Sequence, residues 1–360
     1  MTVVMELLTE AIAGGPADVL SQESPAVPIE QVRRLLAVHW GLGGAVTPMS
    51  GERDRNHLLQ SDADGACYLL KVSHPAEAPL VADFQTRTLQ HLAQADSELP
   101  VQRIVPTLEG EASTTTDPGD GRPRVVRLFS YLPGLPLPEA PRSATQRVNL
   151  ARMLARLDLA LQNFRHPAGQ QQLPWDIQHA GAVRGLLHHI AEPARRALAE
   201  RALNRFDQLA ALRLPMLRRQ PIHNDLNPNN VLVDEAEPDR ISGILDFGDM
   251  VEAPLIDDLA VAAAYQLGCE GDPFADVLPF VAAYHAVLPL QRAEVEVLYP
   301  LMAARLVMVV AISGYRAARD PANAAYVLRN NGPSWARLGA CDGLAPEHAA
   351  ATLCAACGIA

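Results

Sequence analysis

Apolar residues recur at helical spacing in 29–40, at Ile29, Val32, Leu35, Leu36 and Val38, with Pro28 before them and Gly41 and Gly43-Gly44 after. Proline at the entry and glycine at the exit punctuate a helix, so this stretch predicts one. Shorter, alternating segments follow: residues 45–48, 56–60 and 67–72 predict strands, and the cluster Asp62-Ala63-Asp64-Gly65 turns the chain between the last two. A helix is expected over 83–95, and the clearest strand over 124–131. Pro133, Pro136, Pro138 and Pro141 then break all regular structure, which fits a hinge. Beyond it the pattern is helical, over 148–164, 183–212, 255–267, 274–286 and 291–319. The expected architecture is α+β in two lobes. A loose extension (1–27) precedes a small β-rich N-lobe (28–132), a linker (133–143) and a larger, mainly helical C-lobe (144–360).

One segment interrupts the helices, and it carries the chemistry. It reads His223-Asn224-Asp225-Leu226-Asn227-Pro228-Asn229-Asn230 and, sixteen residues after Asn230, Asp246-Phe247-Gly248-Asp249. A hydroxyl attacking a nucleotide γ-phosphate needs a carboxylate to orient it and take its proton, and Asp225 offers one on a loop. Asn230 can turn its amide oxygen toward Mg²⁺, and Asp246, after the β-type run 241–245, gives the metal a hard anionic ligand. Either fragment alone is an ordinary loop motif. In this order and spacing they predict a phosphoryl-transfer site.

On the nucleotide side, Lys71 ends the apolar strand 67–72 and is expected to reach the α- and β-phosphates from the sheet, the alternative being an outward strand lysine. Ser50 and Gly51, in the loop between two predicted strands, let backbone N–H groups approach phosphates. A strand lysine of this kind is usually held by a helix glutamate. Here the helix presents Gln85, which can hydrogen-bond the ammonium on the nucleotide side but not pair its charge, so Lys71 is expected to take its counter-charge from the phosphates or from Asp83 nearby.

Composition changes the picture little. With 49% hydrophobic and 20% charged residues in 360, the chain can bury a large core. A net charge of −11 argues against a nucleic-acid partner and favours a cationic small substrate. Residues 1–20 carry Glu6, Glu10 and Asp18 and show no signal-peptide pattern. The apolar stretch 298–314 is interrupted by Arg305, whereas about 20 uninterrupted apolar residues span a bilayer, so a soluble, cytoplasmic protein is expected. Five scattered cysteines favour reduced thiols over a disulfide framework. Cys341, His348, Cys354 and Cys357 lack the paired spacing of a zinc knuckle and read as small packed thiols.

The residue before Asp225 is not arginine, and only about half a dozen residues separate Gly248 from the next helical run, too few for a peptide-docking activation segment. A small-molecule acceptor is indicated. Through His223, Asp225, Asn230, Asp246 and, one place beyond the second aspartate of the family's Asp-x-Asp, Asp249, the chain resembles the aminoglycoside phosphotransferase and choline kinase superfamily. That resemblance implies a protein-kinase-like fold, Mg²⁺ as cofactor and ATP or GTP as phosphoryl donor. Stretches including 50–56, Phe84-Gln85-Thr86, 126–136, 154–158, Pro174-Trp175 and 242–250 are similar to its hydroxylysine kinase branch and to kinase domains fused to class III aminotransferases. This implies an amino-alcohol acceptor, with 5-hydroxy-L-lysine first, and a functional link to such an aminotransferase. Gln85 in the glutamate's place is usual in that branch. For such an acceptor Arg305, in an apolar helix, is a carboxylate fork or else an intraprotein salt bridge. Trp175 beside Asp176 would line an amine pocket or pack in the core, and Asp249 is a further substrate-side residue. Asp257 and Asp258 would attract a cation or fix the catalytic loop.

Overall fold

A computed structural model describes residues 24–51, 53–319 and 321–360. Of the expected N-terminal extension, only the last four residues are therefore described, and they are not loose. Val27 is buried in the N-lobe core, and the Ser24 carbonyl accepts from the Arg55 guanidinium.

Helix α1 (Ile29–Trp40) follows Pro28 and ends at Gly41, whose φ of 65° turns the chain so that the Gly41 N–H donates to the Ala37 carbonyl and the Leu42 N–H to that of Leu36. Its stripe of Val32, Leu35, Leu36 and Trp40 packs on one face of an antiparallel sheet. The sheet contains β1 (Gly44–Met49), β2 (Arg55–Ser61), β3 (Cys67–Val72), β4 (Ile104–Val105), β5 (Thr114–Thr116) and β6 (Arg124–Ser130), in the order β1-β2-β3-β6-β4 with β5 also paired to β6. Alternation along β3 buries Leu70 and Val72 under α1 and so turns Lys71 to the opposite face. Helix α2 (Pro79–Ala95) begins four residues earlier than the pattern suggested, because Pro79 is suited to the first turn of a helix. Its Phe84, Leu89 and Leu92 share a core with the C-lobe.

Regular structure does enter the predicted linker. Leu135–Pro136 forms β7, antiparallel to β9 (Val231–Val233), and a 3₁₀ turn covers Leu137–Glu139. The prolines forbid a long element, but a two-residue edge strand tolerates one. The lobes are tied again where the Ile244 N–H donates to the Pro100 carbonyl at 2.8 Å.

In the C-lobe, α3 (Ala144–Leu161) is capped by Ser143, which accepts from the Gln146 N–H. One helix over 183–212 is not formed. A 3₁₀ stretch (Ile177–His189) breaks before α4 (Pro193–Phe206), since Pro193 has no N–H to continue a helix through it. The antiparallel pair β8 (Arg219–Ile222) with β11 (Val251–Pro254), and the pair β9 with β10 (Ile241–Ile244), carry the motif loops. Helices α5 (Leu255–Ala264), α6 (Val277–His285), α7 (Arg292–Arg319), α8 (Asn331–Cys341) and α9 (Pro346–Ala356) complete the lobe. Helix α7 is long and apolar enough to cross a membrane, yet 94% of its apolar window is buried among the other elements. It is the central core helix, and its inward side places Arg305 beneath the cleft.

Candidate active site

The 223–230 loop is fixed from below. Asp258, fully buried on α5, accepts from the backbone N–H of His223 at 2.9 Å and of Asn224 at 2.8 Å. Fixing the loop, not attracting substrate, is therefore its job, and Asp257 is buried as well. Beneath Asp258 lies Asp158, whose carboxyl burial pushes far above the usual range and which accepts from Tyr284 Oη at 2.5 Å. Asn224 adopts the left-handed conformation at φ 65° and donates from Nδ2 to the Asp249 carbonyl at 3.0 Å. His223 Nε2 lies 2.9 Å from the Leu245 carbonyl, while its Nδ1 accepts from the Asp225 N–H at 3.3 Å. The imidazole thus staples the two motif loops together.

Asp225 is held on both oxygens. Oδ1 accepts from Arg305 Nη2 at 2.5 Å, and Oδ2 from Nδ2 of Asn227 at 2.9 Å and of Asn230 at 3.0 Å. Its side chain keeps 18% exposure. Burial pushes the carboxyl up to about 6, against the pull of Arg305 and with a further push from Asp249. That is a suitable value for a group that orients a hydroxyl and takes its proton near neutral pH.

Asn230 spends its amide nitrogen on Asp225, both on Oδ2 and on the backbone carbonyl at 2.9 Å. This fixes the flip of the amide and leaves Oδ1 as a hard acceptor. Asp246, at φ 63°, is exposed and accepts from the Gly248 N–H at 3.1 Å. Burial opposes its ionisation, but Lys71, that N–H, His223 and Arg53 outweigh it, so the carboxyl lies below the usual range. A free amide oxygen and an ionised carboxylate are the donor set Mg²⁺ prefers.

Lys71 does not pair with Gln85 or Asp83. Its Nζ lies 3.5 Å from Asp54 Oδ2, and Asp54 is itself anchored by the His74 N–H at 3.0 Å. Gln85 instead accepts at 2.9 Å from Arg127, a fully buried guanidinium that also reaches Ser73 at 3.1 Å, while Gln85 Nε2 donates to Glu77 at 3.4 Å. Asp83 is taken by His166 at 3.0 Å. The expectation that Gln85 contacts the nucleotide lysine is thereby corrected: a buried arginine on the neighbouring strand claims the amide, and the lysine finds its carboxylate in the β1–β2 loop. Gln85→Leu is expected to cost about 1–3 kcal/mol in thermal denaturation by stranding Arg127, while changing nucleotide KM only a few-fold. In the same loop, a Cβ on Gly51 would meet the Asp54 carbonyl at 2.5 Å, so only glycine permits this tight turn beside Ser50.

On the acceptor side, Arg305 is 2% exposed and committed to Asp225, with Nη1 donating to the Trp175 carbonyl at 3.3 Å. It is an intraprotein pair and not an open carboxylate fork. The Trp175 ring lies 5.2 Å from its guanidinium carbon. Asp176 turns inward, 1% exposed, and accepts from the Gln178 N–H at 3.1 Å, so the carboxylate expected beside Trp175 in an amine pocket is a helix cap. Asp249 pairs with Arg53 at 3.1 Å. The site thus brings together Asp225, Asn230, Asp246, Asp249, Lys71 and Arg305. Asn227 and Arg53 were not singled out from the sequence. The only signals were a second asparagine two residues after Asp225 and a cation in a small-residue loop.

A β-sheet lobe that presents Lys71 to a loop carrying the Asp225 carboxylate, the Asn230 amide and, close by, the Asp246 carboxylate has the arrangement of a kinase-like phosphotransferase. The Phosphotransferase enzyme family matches residues 45–297, and the chain belongs to it. It is a small-molecule kinase that phosphorylates a hydroxyl group. The hydroxylysine kinase of Danio rerio is 27% identical over 319 residues, covering 85% of this chain and 89% of the relative. The microcompartment-associated aminopropanol kinase superposes with a TM-score of 0.65 at 21% identity, over 89% of this chain and all of that one. An amicoumacin kinase in complex with AMP-PNP and Ca²⁺ superposes at 0.61 and 14% identity, over 84% of this chain and 93% of that one.

Proposed function

We propose that the chain is a Mg²⁺-dependent kinase that transfers the γ-phosphate of ATP or GTP to the hydroxyl of an amino alcohol, with 5-hydroxy-L-lysine as first choice. The observation that carries the acceptor is similarity to hydroxylysine kinase along 85% of the chain. Asn230 and Asp246 would hold the metal, which supplies charge neutralisation to the phosphates. Lys71 and the Ser50-Gly51 backbone contact the nucleotide, and Asp225 takes the proton. The net charge of −11 suits an acceptor with two ammonium groups. With Arg305 committed to Asp225, the acceptor's carboxylate must meet a different donor.

Kinases for homoserine, choline or an aminoglycoside are the same-class alternatives. A silent nucleotide-binding module is the alternative from another class. Retention of Asp225, Asn230 and Asp246 around one cleft speaks against silence. The cytoplasm, and a functional link to a class III aminotransferase consuming or supplying the amine, belong to the same proposal. Turnover with MgATP and MgGTP over a panel of hydroxylated amines tests it. Choline is expected to be rejected by several orders of magnitude in kcat/KM, since a site that pairs both ends of an amino acid is left with unpaired groups. Comparable turnover with choline or kanamycin would remove hydroxylysine and leave the amino-alcohol class alone.

A further inference from the structure

Arg53 sits on the β1–β2 loop of the N-lobe, yet its Nη2 lies 3.1 Å from Asp249 Oδ1 in the C-lobe, 196 positions away. Asp249 lies where the two motif loops meet. It follows Asp246 by three residues, and its carbonyl is held by Asn224, the neighbour of Asp225. Charges also link the two sides: Arg53 is felt at Asp246, and Asp249 at Asp225. A bare carboxylate at that point would repel a triphosphate. The only cation it is bonded to among the described residues is one carried in by the loop that covers the nucleotide.

We propose that Arg53 is a catalytic residue that binds the transferring phosphoryl group, with Asp249 as its resting partner. The inference rests on the phosphotransferase reading of the site. In the step itself the acceptor oxygen forms a bond to Pγ while the bond from Pγ to the bridging oxygen breaks. The electron pair leaves with the nucleoside diphosphate, and the hydroxyl proton passes to Asp225. Negative charge spreads over the three equatorial oxygens, and a guanidinium with five N–H donors can meet two of them while keeping a contact with Asp249. At 31% exposure the Arg53 side chain can make this small turn without disrupting the core. A lysine would bring the charge without the fork.

The test uses Arg53→Gln and Arg53→Lys, with melting temperature as a check of folding. For Arg53→Gln, kcat is expected to fall about 10²-fold or more while nucleotide KM stays within about threefold, by analogy with other arginines that stabilise this transition state. The extra affinity of the wild type for MgADP with aluminium fluoride over MgADP alone, read by calorimetry, should disappear in the same variant. Arg53→Lys should recover less than about a tenth of the lost rate. A kcat within about threefold of wild type, or an unchanged preference for the fluoride complex, would overturn the assignment. Failure of the wild type on every acceptor would instead strike the proposed function, and the fluoride comparison would still judge Arg53.

Discussion

Asp225→Asn is expected to lower kcat by about 10²-fold or more while nucleotide affinity stays within a few-fold. In the proposed role the carboxylate acts on the acceptor hydroxyl, and its contacts run to Arg305, Asn227 and Asn230, none of which is on the sheet side that carries Lys71. The amide can still accept from Arg305 with its oxygen. Its NH₂ must then face the two asparagine donors that now meet Oδ2, so the variant also loosens Asn230 and should need more Mg²⁺ for half-maximal rate. Asp246→Ala separates the two roles. It removes the ionised, exposed carboxylate and should abolish the Mg²⁺-dependent part of nucleotide binding in a calorimetric titration. Near wild-type turnover by both variants would mean that the chemistry lies elsewhere.

The parts of this site that were legible in the sequence are those whose spacing carries chemistry. Asp225, Asn230 and Asp246 lie on loops pinned at both ends by short antiparallel strand pairs, so their separation along the chain maps onto one cleft. Lys71 was legible because strand alternation sends it opposite Leu70 and Val72. The N-lobe strands and α1 were readable because one face of each is buried, which writes a period into the sequence. Illegible elements had no room for a period. Strands β4, β7, β9 and β11 have two to four residues each, and the apolar spacing from 183 onward that reads as the start of one long helix does not announce that Ile177–His189 winds as 3₁₀ before Pro193. Partner choice was equally hidden. Gln85 bonds Arg127 and Lys71 bonds Asp54 because β3 and β6 lie side by side, with Lys71 opposite Arg127, a register that no local pattern announces. Arg305 showed in the sequence that a guanidinium in an apolar helix needs an anion, but not that the anion is Asp225.

That pairing yields the second large effect. In the wild type, kcat/KM should rise with pH through about 6 as Asp225 ionises, since only the carboxylate can take the hydroxyl proton. Burial holds the carboxyl high and Arg305 is the strongest of the groups pulling it back, with His223 and Asn227 helping and Asp249 opposing. Arg305→Met keeps the apolar stem and deletes the charge, so the acidic limb should move to higher pH. Below the new limb the rate falls about tenfold for every pH unit by which the limb has moved, so the loss should be large at pH 7 and shrink by pH 9. Stability should follow the same sign. The variant's Asp225 holds its proton in the folded state at pH values where the unfolded chain has lost it, so the penalty for burying an unpaired charge, about 3–5 kcal/mol for a broken buried pair, is avoided in acid and grows as pH rises through the raised value. Melting curves at pH 5 and pH 8.5 would therefore diverge more in Arg305→Met than in the wild type. Arg305→Lys, which restores charge without the fork, should return the limb toward its original position but not the full rate. If Arg305→Met lost activity by one constant factor at every pH, Arg305 would be shown to act only through its packing on Trp175 and not through the charge of the base.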